Sequence, residues 1–271
     1  AIAIAIGHLV YVSWGEKRRS AIANMRRVLG PGVSEAVVRR MARNSFRHYC
    51  KYVVEFLRFG RRSDDVAALV DTTGLHNIDD ALRAGKGAIV VGLHFGNWDL
   101  AGAVLASRGY PVNVVAESFE PAKLNALIQR PRLNSGLRII PVDASSRAVL
   151  RALRRNEILG LLIDRPDFKD GVPVRFCGAI TSVPAGAAAL ALRTGARILP
   201  GMLVRQPDNT FRGIVAPAVA FEPTGDYEHD VQALTQRVFE ALEAFVYAYP
   251  DQWYMFRPMW PTSVPLPAPA F

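Results

Sequence analysis

The stretch Gly87-Ala88-Ile89-Val90-Val91-Gly92-Leu93-His94-Phe95-Gly96-Asn97-Trp98-Asp99 decides how this chain reads. Its first half is an uncharged aliphatic run, the composition of a strand buried on both faces. A helix-like run, Leu100 to Ser107, follows. A strand that turns tightly into a helix puts the turn at the carboxyl edge of a sheet, where open α/β folds carry their chemistry. His94 and Asp99 share that turn. A histidine held by a carboxylate is a general base for a hydroxyl, so the spacing predicts His94 and Asp99 within hydrogen-bond reach.

Outward from this unit, strands alternate with helices. Strands are predicted at Gly87–Leu93, Val112–Ala116, Arg138–Pro141, Ile158–Ile163 and Ala196–Leu203. Helices are predicted at Leu75–Leu82, 99–108, Pro121–Arg130, Ser145–Arg154, Val183–Thr194 and Asp230–Tyr249. Phe211–Ala216 reads as an added antiparallel strand. The fold class is therefore α/β: a mostly parallel central sheet flanked by helices, with a helical N-terminal region. That region holds a basic amphipathic helix over 16–29, closed by Gly30-Pro31-Gly32, and a longer helix from Ser34-Glu35 to about Phe59. Arg61-Arg62-Ser63-Asp64 breaks it. The chain divides into an N-terminal helical, membrane-proximal region (1–70), an α/β domain (71–260) and a Pro-rich tail (261–271).

Half of the 271 residues are hydrophobic, enough to build a large core. Lys and Arg number 33 against 24 Asp and Glu, a net charge of +9. That sign suits an anionic membrane face, an acidic small substrate or nucleic acid. The arginines are spread along the chain with no basic block or basic–aromatic repeat, which argues against nucleic acid as a partner. Cys50 and Cys177 are too few for a disulfide framework or a zinc site, and Cys177 reads as a small buried residue before a nucleophile. Residues 1–14 are apolar but fall short of the roughly 20 needed to cross a bilayer. They read as a core element or as the end of a membrane-contacting segment, with the basic helix 16–29 behind it to meet anionic lipid.

Phosphate loops, dinucleotide fingerprints, G-x-S-x-G elbows and H-E-x-x-H are absent. What remains is His94 with Asp99. A neutral imidazole can take a hydroxyl's proton as the oxygen attacks an electrophile, while the carboxylate fixes the tautomer.

Here a resemblance enters. His94-Phe95-Gly96-Asn97-Trp98-Asp99 resembles the H-x-G-N-W-D/E block of the lipid A late acyltransferases, within the glycerolipid acyltransferase-like enzymes. Gly171-Val172-Pro173-Val174-Arg175-Phe176-Cys177-Gly178 resembles their G-V-x-V-x-F-F-G, and Thr181, Pro184, Gly186, Leu190 and Ala191 match the block after it. Arg132 and Gly136 match R-x-x-x-G, and Trp253 to Trp260 match the terminal W-x-x-x-x-x-x-W. Val115-Ala116-Glu117, Asp164-Arg165 and Asn24 to Gly30 are most similar to the phosphatidylinositol mannoside acyltransferase branch. The resemblance spans nearly the whole chain. It implies an O-acyltransferase peripheral to the cytoplasmic face of the cell's inner membrane. The donor would be acyl-CoA or acyl carrier protein, the acceptor a glycolipid hydroxyl, and no metal or other cofactor would be needed. His94 and Asp99 would be the catalytic pair. Arg132 and Arg165 would bind donor phosphates or the acceptor head group, since arginine's planar fork suits phosphate. Glu117, at a strand end, would bind acceptor hydroxyls.

The chain departs from the mannoside branch in three places. Pro173 stands where the branch has a glutamate near the catalytic pair, Ser118 replaces an arginine, and Cys177 replaces an aromatic. Two other readings remain open. A lysophospholipid or glycerol-phosphate acyltransferase would keep the chemistry and change the acceptor, but its F-P-E-G-T-R motif is absent. A non-catalytic basic protein that docks on membranes or nucleic acid would leave His94 and Asp99 pointing apart.

Overall fold

In the computed structural model, which describes residues 2–59 and 70–261, the apolar runs assemble into a seven-stranded sheet. The strands are β1 (Val70–Thr73), β2 (Ala88–Gly92), β3 (Val112–Ala116), β4 (Arg138–Pro141), β5 (Ile158–Leu162), β8 (Arg197–Arg205) and β9 (Phe211–Val215). Their order is β1-β9-β8-β2-β5-β3-β4. All neighbours are parallel except β8 and β9, which run antiparallel as the sequence predicts. Ala88, Ile89 and Val91 of β2, and Ile158 and Leu159 of β5, are fully buried. Only a strand covered on both faces needs so uniform an apolar run.

The register between β2 and β5 positions the site. Ala88 lies opposite Ile158, and the pairing runs on to Gly92 opposite Leu162. Two residues beyond each of those ends stand His94 and Asp164.

Three helices precede the sheet: α1 (Ile2–Ser13), α2 (Gly15–Leu29) and α3 (Glu35–Phe59). Val38, Ala42, Phe46 and Cys50, at four-residue steps, with Tyr52 and Phe56, four apart, form the buried stripe of α3. Around the sheet lie α4 (Leu75–Leu82), α5 (Trp98–Ser107), α6 (Ala122–Asn134), α7 (Ser145–Arg154), α8 (Gly186–Thr194) and α9 (Tyr227–Ala248). Val231, Leu234, Val238, Leu242 and Val246 hold α9 against the core.

The structure corrects three expectations. Val183 does not start a helix. It ends β7 (Ala179–Val183), which pairs antiparallel with β6 (Val172–Phe176) in a separate hairpin, and α8 begins only at Gly186. Second, α6 continues through Pro131 to Asn134 instead of stopping at Arg130, which places Arg132 on its last turn. Third, β1 adds a short edge strand that the sequence pattern did not announce, parallel to β9. The predicted break at Arg61–Asp64 and the tail from 262 lie outside the described residues.

The chain after α9 returns across the sheet's carboxyl edge as a strap, residues 249–260. Asn24 of α2 fastens it with three hydrogen bonds. Its Nδ2 donates to the carbonyls of Met255 (2.9 Å) and Arg257 (2.7 Å), and its Oδ1 accepts from the Met259 N–H (3.2 Å). Thr181 donates to the Met259 carbonyl, and the Trp260 indole donates to that of Phe176 at 3.1 Å. Phe256 stacks on Phe46 of α3 with centroids 4.2 Å apart. The N-terminal helices and the strap therefore share one packing unit.

Candidate active site

His94 stands just past β2, in a turn that only glycine permits. Gly96 has φ of 57°, and a Cβ there would meet the Leu203 carbonyl oxygen at 1.8 Å. Asn97 then caps α5, its side chain accepting from the Leu100 N–H at 3.0 Å.

No hydrogen bond joins His94 to Asp99. The partner of the His94 ring is Asp164, two residues beyond the adjacent strand β5. Nδ1 lies 2.7 Å from Asp164 Oδ1. The Asp164 Oδ2 accepts from the His94 backbone N–H (3.0 Å) and from the Trp253 indole (2.9 Å). The Asp164 side chain is fully buried. Burial alone would push its carboxyl up, but the charge and hydrogen bond of His94, with the Trp253 indole, bring it below the ordinary aspartate value. An ionised carboxylate only accepts, so Nδ1 carries a proton, and in the neutral ring Nε2 presents a lone pair. Among the described residues Nε2 has no hydrogen-bond partner, and the ring is partly open to solvent.

Asp99 does something else. It lies in the first turn of α5 and is held by Arg132 of α6 and Tyr52 of α3. Arg132 Nε is 2.7 Å from Oδ1 and Nη2 3.3 Å from Oδ2, and the Tyr52 hydroxyl donates to Oδ2 at 2.7 Å. The guanidinium also lies over the Phe56 ring, 5.3 Å from its centroid. Burial works against the charge of Arg132, yet Asp99 more than offsets it and holds the guanidinium protonated. Burial, with the Asp99 charge beside it, pushes the Tyr52 hydroxyl well up. This buried pair fastens α5 to α3 and α6.

Glu117 and Arg165, both expected to bind substrate, form an ion pair with each other on the surface. They connect to the inner pair by hydrogen bonds. Gln129 donates to the Glu117 carbonyl (3.0 Å) and accepts from Arg132 Nη1 (3.0 Å). Trp98 stands edge-on to His94, with centroids 5.3 Å apart. One continuous set thus runs from Tyr52 through Asp99, Arg132, Gln129 and Glu117 to Arg165, next in sequence to Asp164. Pro173 lies on the exposed side of β6, and the carboxylate at the His94 ring is Asp164, two residues past β5. Cys177 is buried, and that burial together with Glu243 drives its thiol far above its usual range. This environment suits a structural residue and not a nucleophile.

The sequence pattern of the bacterial lipid A biosynthesis acyltransferases matches residues 2–262. The chain belongs to that family. It is therefore an acyltransferase. Individual relatives agree. The phosphatidylinositol mannoside acyltransferase of Mycolicibacterium smegmatis (strain ATCC 700084 / mc(2)155) is 29% identical over 256 residues, covering 88% of this chain and 77% of that one. The proteins of the same name from Mycobacterium tuberculosis, strains CDC 1551 / Oshkosh and ATCC 25618 / H37Rv, are each 30% identical over 245 residues, covering 88% of this chain and 75% of theirs.

Sequence reasoning about this acyltransferase missed Asp164, Tyr52, Gln129 and Trp253 as parts of the site. For Asp164 the signal was the strand register, which is readable only once β2 and β5 are known to be neighbours.

The depressed carboxyl of Asp164 sets a pH dependence. A carboxyl whose folded value lies below its unfolded one contributes stability above the unfolded value, about pH 4, and loses it as pH falls through the folded value. The difference in unfolding free energy between the wild type and Asp164→Asn should be largest near neutrality and shrink below about pH 4. Denaturant melts across that range measure it. A difference that stays constant down to about pH 3 would contradict the ion-pair description.

Proposed function

We propose that this acyltransferase moves a fatty acyl group from a thioester, acyl-CoA or acyl carrier protein, to a hydroxyl of a glycolipid of the phosphatidylinositol mannoside or lipid A type. One observation carries the reading: His94, at the carboxyl edge of the sheet, is held through Nδ1 by a buried carboxylate and presents Nε2 outward. Nε2 takes the acceptor hydroxyl's proton as the oxygen attacks the thioester carbonyl. The C–S bond then breaks, and the imidazolium returns the proton to the departing thiolate. Asp164 keeps the tautomer and stabilises the imidazolium. In this reading Asp99 is a positioning residue. It fixes Arg132 and Tyr52, and through them the α5 turn. The outward Arg165, with Glu117, is the cation placed to meet a phosphate of donor or acceptor. The relatives' shared name supports a mannosylated inositol lipid as the acceptor.

Steady-state transfer from palmitoyl-CoA into a mannosylated phosphatidylinositol tests this. His94→Ala should lower kcat by about 10²- to 10⁴-fold, and Asp164→Asn should fall within the same range. Asp99→Asn should cost less in kcat. Full turnover by Asp164→Asn together with a dead Asp99→Asn would restore the pairing expected from sequence.

We also propose that the enzyme meets its lipid at a membrane surface. Among the described residues no helix is long and apolar enough to cross a bilayer. On α1, Ile4, Ile6, Leu9 and Val12 are exposed, and Trp14 follows them. The basic helix behind them is less available than its sequence suggests. Arg18 donates to the carbonyls of Tyr11 and Val12, Arg26 pairs with Glu35, and Arg27 is buried over the Trp260 ring. Apolar insertion therefore outweighs charge. The double variant L9D/V12D should cut co-sedimentation with anionic phospholipid vesicles at least about tenfold, from the cost of losing two buried aliphatic side chains. Raising the salt should cut it less. Wild-type sedimentation by the variant would remove α1 from the contact.

A further inference from the structure

The carboxylate of Asp164 has two oxygens with different duties. Oδ1 faces the His94 ring, while Oδ2 takes the His94 backbone N–H and the Trp253 indole N–H. A carboxyl group turns easily about its last torsion, which has broad minima. What stops Asp164 from turning away from the ring is therefore the pair of donors on Oδ2. One belongs to the same turn as His94. The other reaches in from the strap.

Trp253 is itself rigidly held. Its side chain is completely buried, and its ring meets Phe176 and Trp260 edge-to-face at centroid distances of 5.8 and 6.2 Å. The strap's backbone grips the histidine turn on both sides of Phe95. The Tyr254 N–H donates to the His94 carbonyl at 2.8 Å, and the Gln252 carbonyl accepts from the Gly96 N–H at 2.9 Å. Phe95 and Trp253 form the bridge between these two contacts. The Gln252 side-chain amide pairs in turn with the backbone of Arg205, at 2.8 Å both ways. One short segment thus fixes the main chain of the base and the carboxylate that orients it.

We infer that Trp253 is a positioning residue for acyl transfer, its indole N–H holding Asp164 in the orientation from which it aligns the His94 ring. This rests on the reading of His94 and Asp164 given above. The charged groups on adjoining segments do not substitute for it. Arg165 is turned to Glu117, and Asp99 to Arg132 and Tyr52.

Trp260 supplies a matched control. It is a second buried indole in the same aromatic cluster, but its N–H goes to the Phe176 carbonyl and not to the carboxylate. Kinetics of W253F, W260F and D164N, with kcat and donor KM measured across pH, separate the possibilities. W253F should lower kcat about tenfold, the scale of one lost hydrogen bond to a charged group, and leave donor KM unchanged. The acid limb of its kcat/KM profile should move to higher pH. A carboxylate with one donor fewer holds the imidazolium proton more firmly, so more alkaline conditions are needed to free the base. W260F should leave kcat and the acid limb where they are. In the D164N background, W253F should have no further effect on kcat. Should W253F not fold, benzothienylalanine at position 253 keeps the ring's outline and removes only the N–H, with the same results expected.

If W253F or its isostere matches W260F in kcat and acid limb while D164N is impaired, Trp253 is structural only and this inference fails alone. If D164N turns over like the wild type, the underlying reading of the pair fails.

Discussion

A fully buried carboxylate governs this site. Removing a charge from water costs several kcal/mol unless the group is paired and its lone pairs are filled. Asp164 meets that requirement with three donors from two distant parts of the chain. Each donor constrains what supplies it. The His94 backbone N–H fixes the turn after β2, the Nδ1 proton fixes the ring, and the indole fixes the strap. Strand neighbourhood makes this possible, because the β2–β5 register brings positions 94 and 164 side by side at the sheet's edge. The placement of the His94 ring, its carboxylate partner and the closing segment are consequences of satisfying one ion in a dry place.

The second carboxylate of the motif is satisfied differently. Asp99 is nearly buried and spends its two oxygens on Arg132 and Tyr52. Breaking such a pair from one side strands a charge and costs about 3–5 kcal/mol. The H-x-x-x-x-D spacing therefore serves two purposes here. The histidine end stays partly open to solvent at the sheet's edge, and the aspartate end locks α5 to α3 and α6. The two carboxylates differ in role because their surroundings differ.

The turn from β2 into α5 was readable because an uncharged aliphatic run followed by a capped amphipathic start has few alternative structures. The antiparallel β9 and the long α9 were readable for the same reason, since local pattern alone specifies them. The partner of His94 was not, because Asp99 is five residues away along the chain while Asp164 is close only through strand order. Sequence proximity favoured the wrong carboxylate. The β6–β7 hairpin was hidden by the alanine-rich segment that follows it, although Ala179, Thr181 and Val183 are buried in the alternating pattern of a strand. The helix expected to end at Arg130 instead passes through Pro131, runs one turn further and carries Arg132 to Asp99. Of the arginines on the basic helix 16–29, Arg18 and Arg27 turn to partners within the fold, Arg26 pairs with Glu35 at the surface and Arg19 stays exposed, a division the helical spacing did not reveal.

The central claim is that Asp164, and not Asp99, sets the protonation geometry of His94. Nitrogen-15 NMR of the histidine side chains addresses it directly, with the His94 signals assigned by their loss in His94→Gln among the five histidines of the chain. At neutral or mildly alkaline pH the account predicts a neutral ring protonated at Nδ1, with a strongly deshielded Nδ1 proton that persists in Asp99→Asn and disappears in Asp164→Asn. A ring protonated at Nε2, or a deshielded proton lost only in Asp99→Asn, would contradict it.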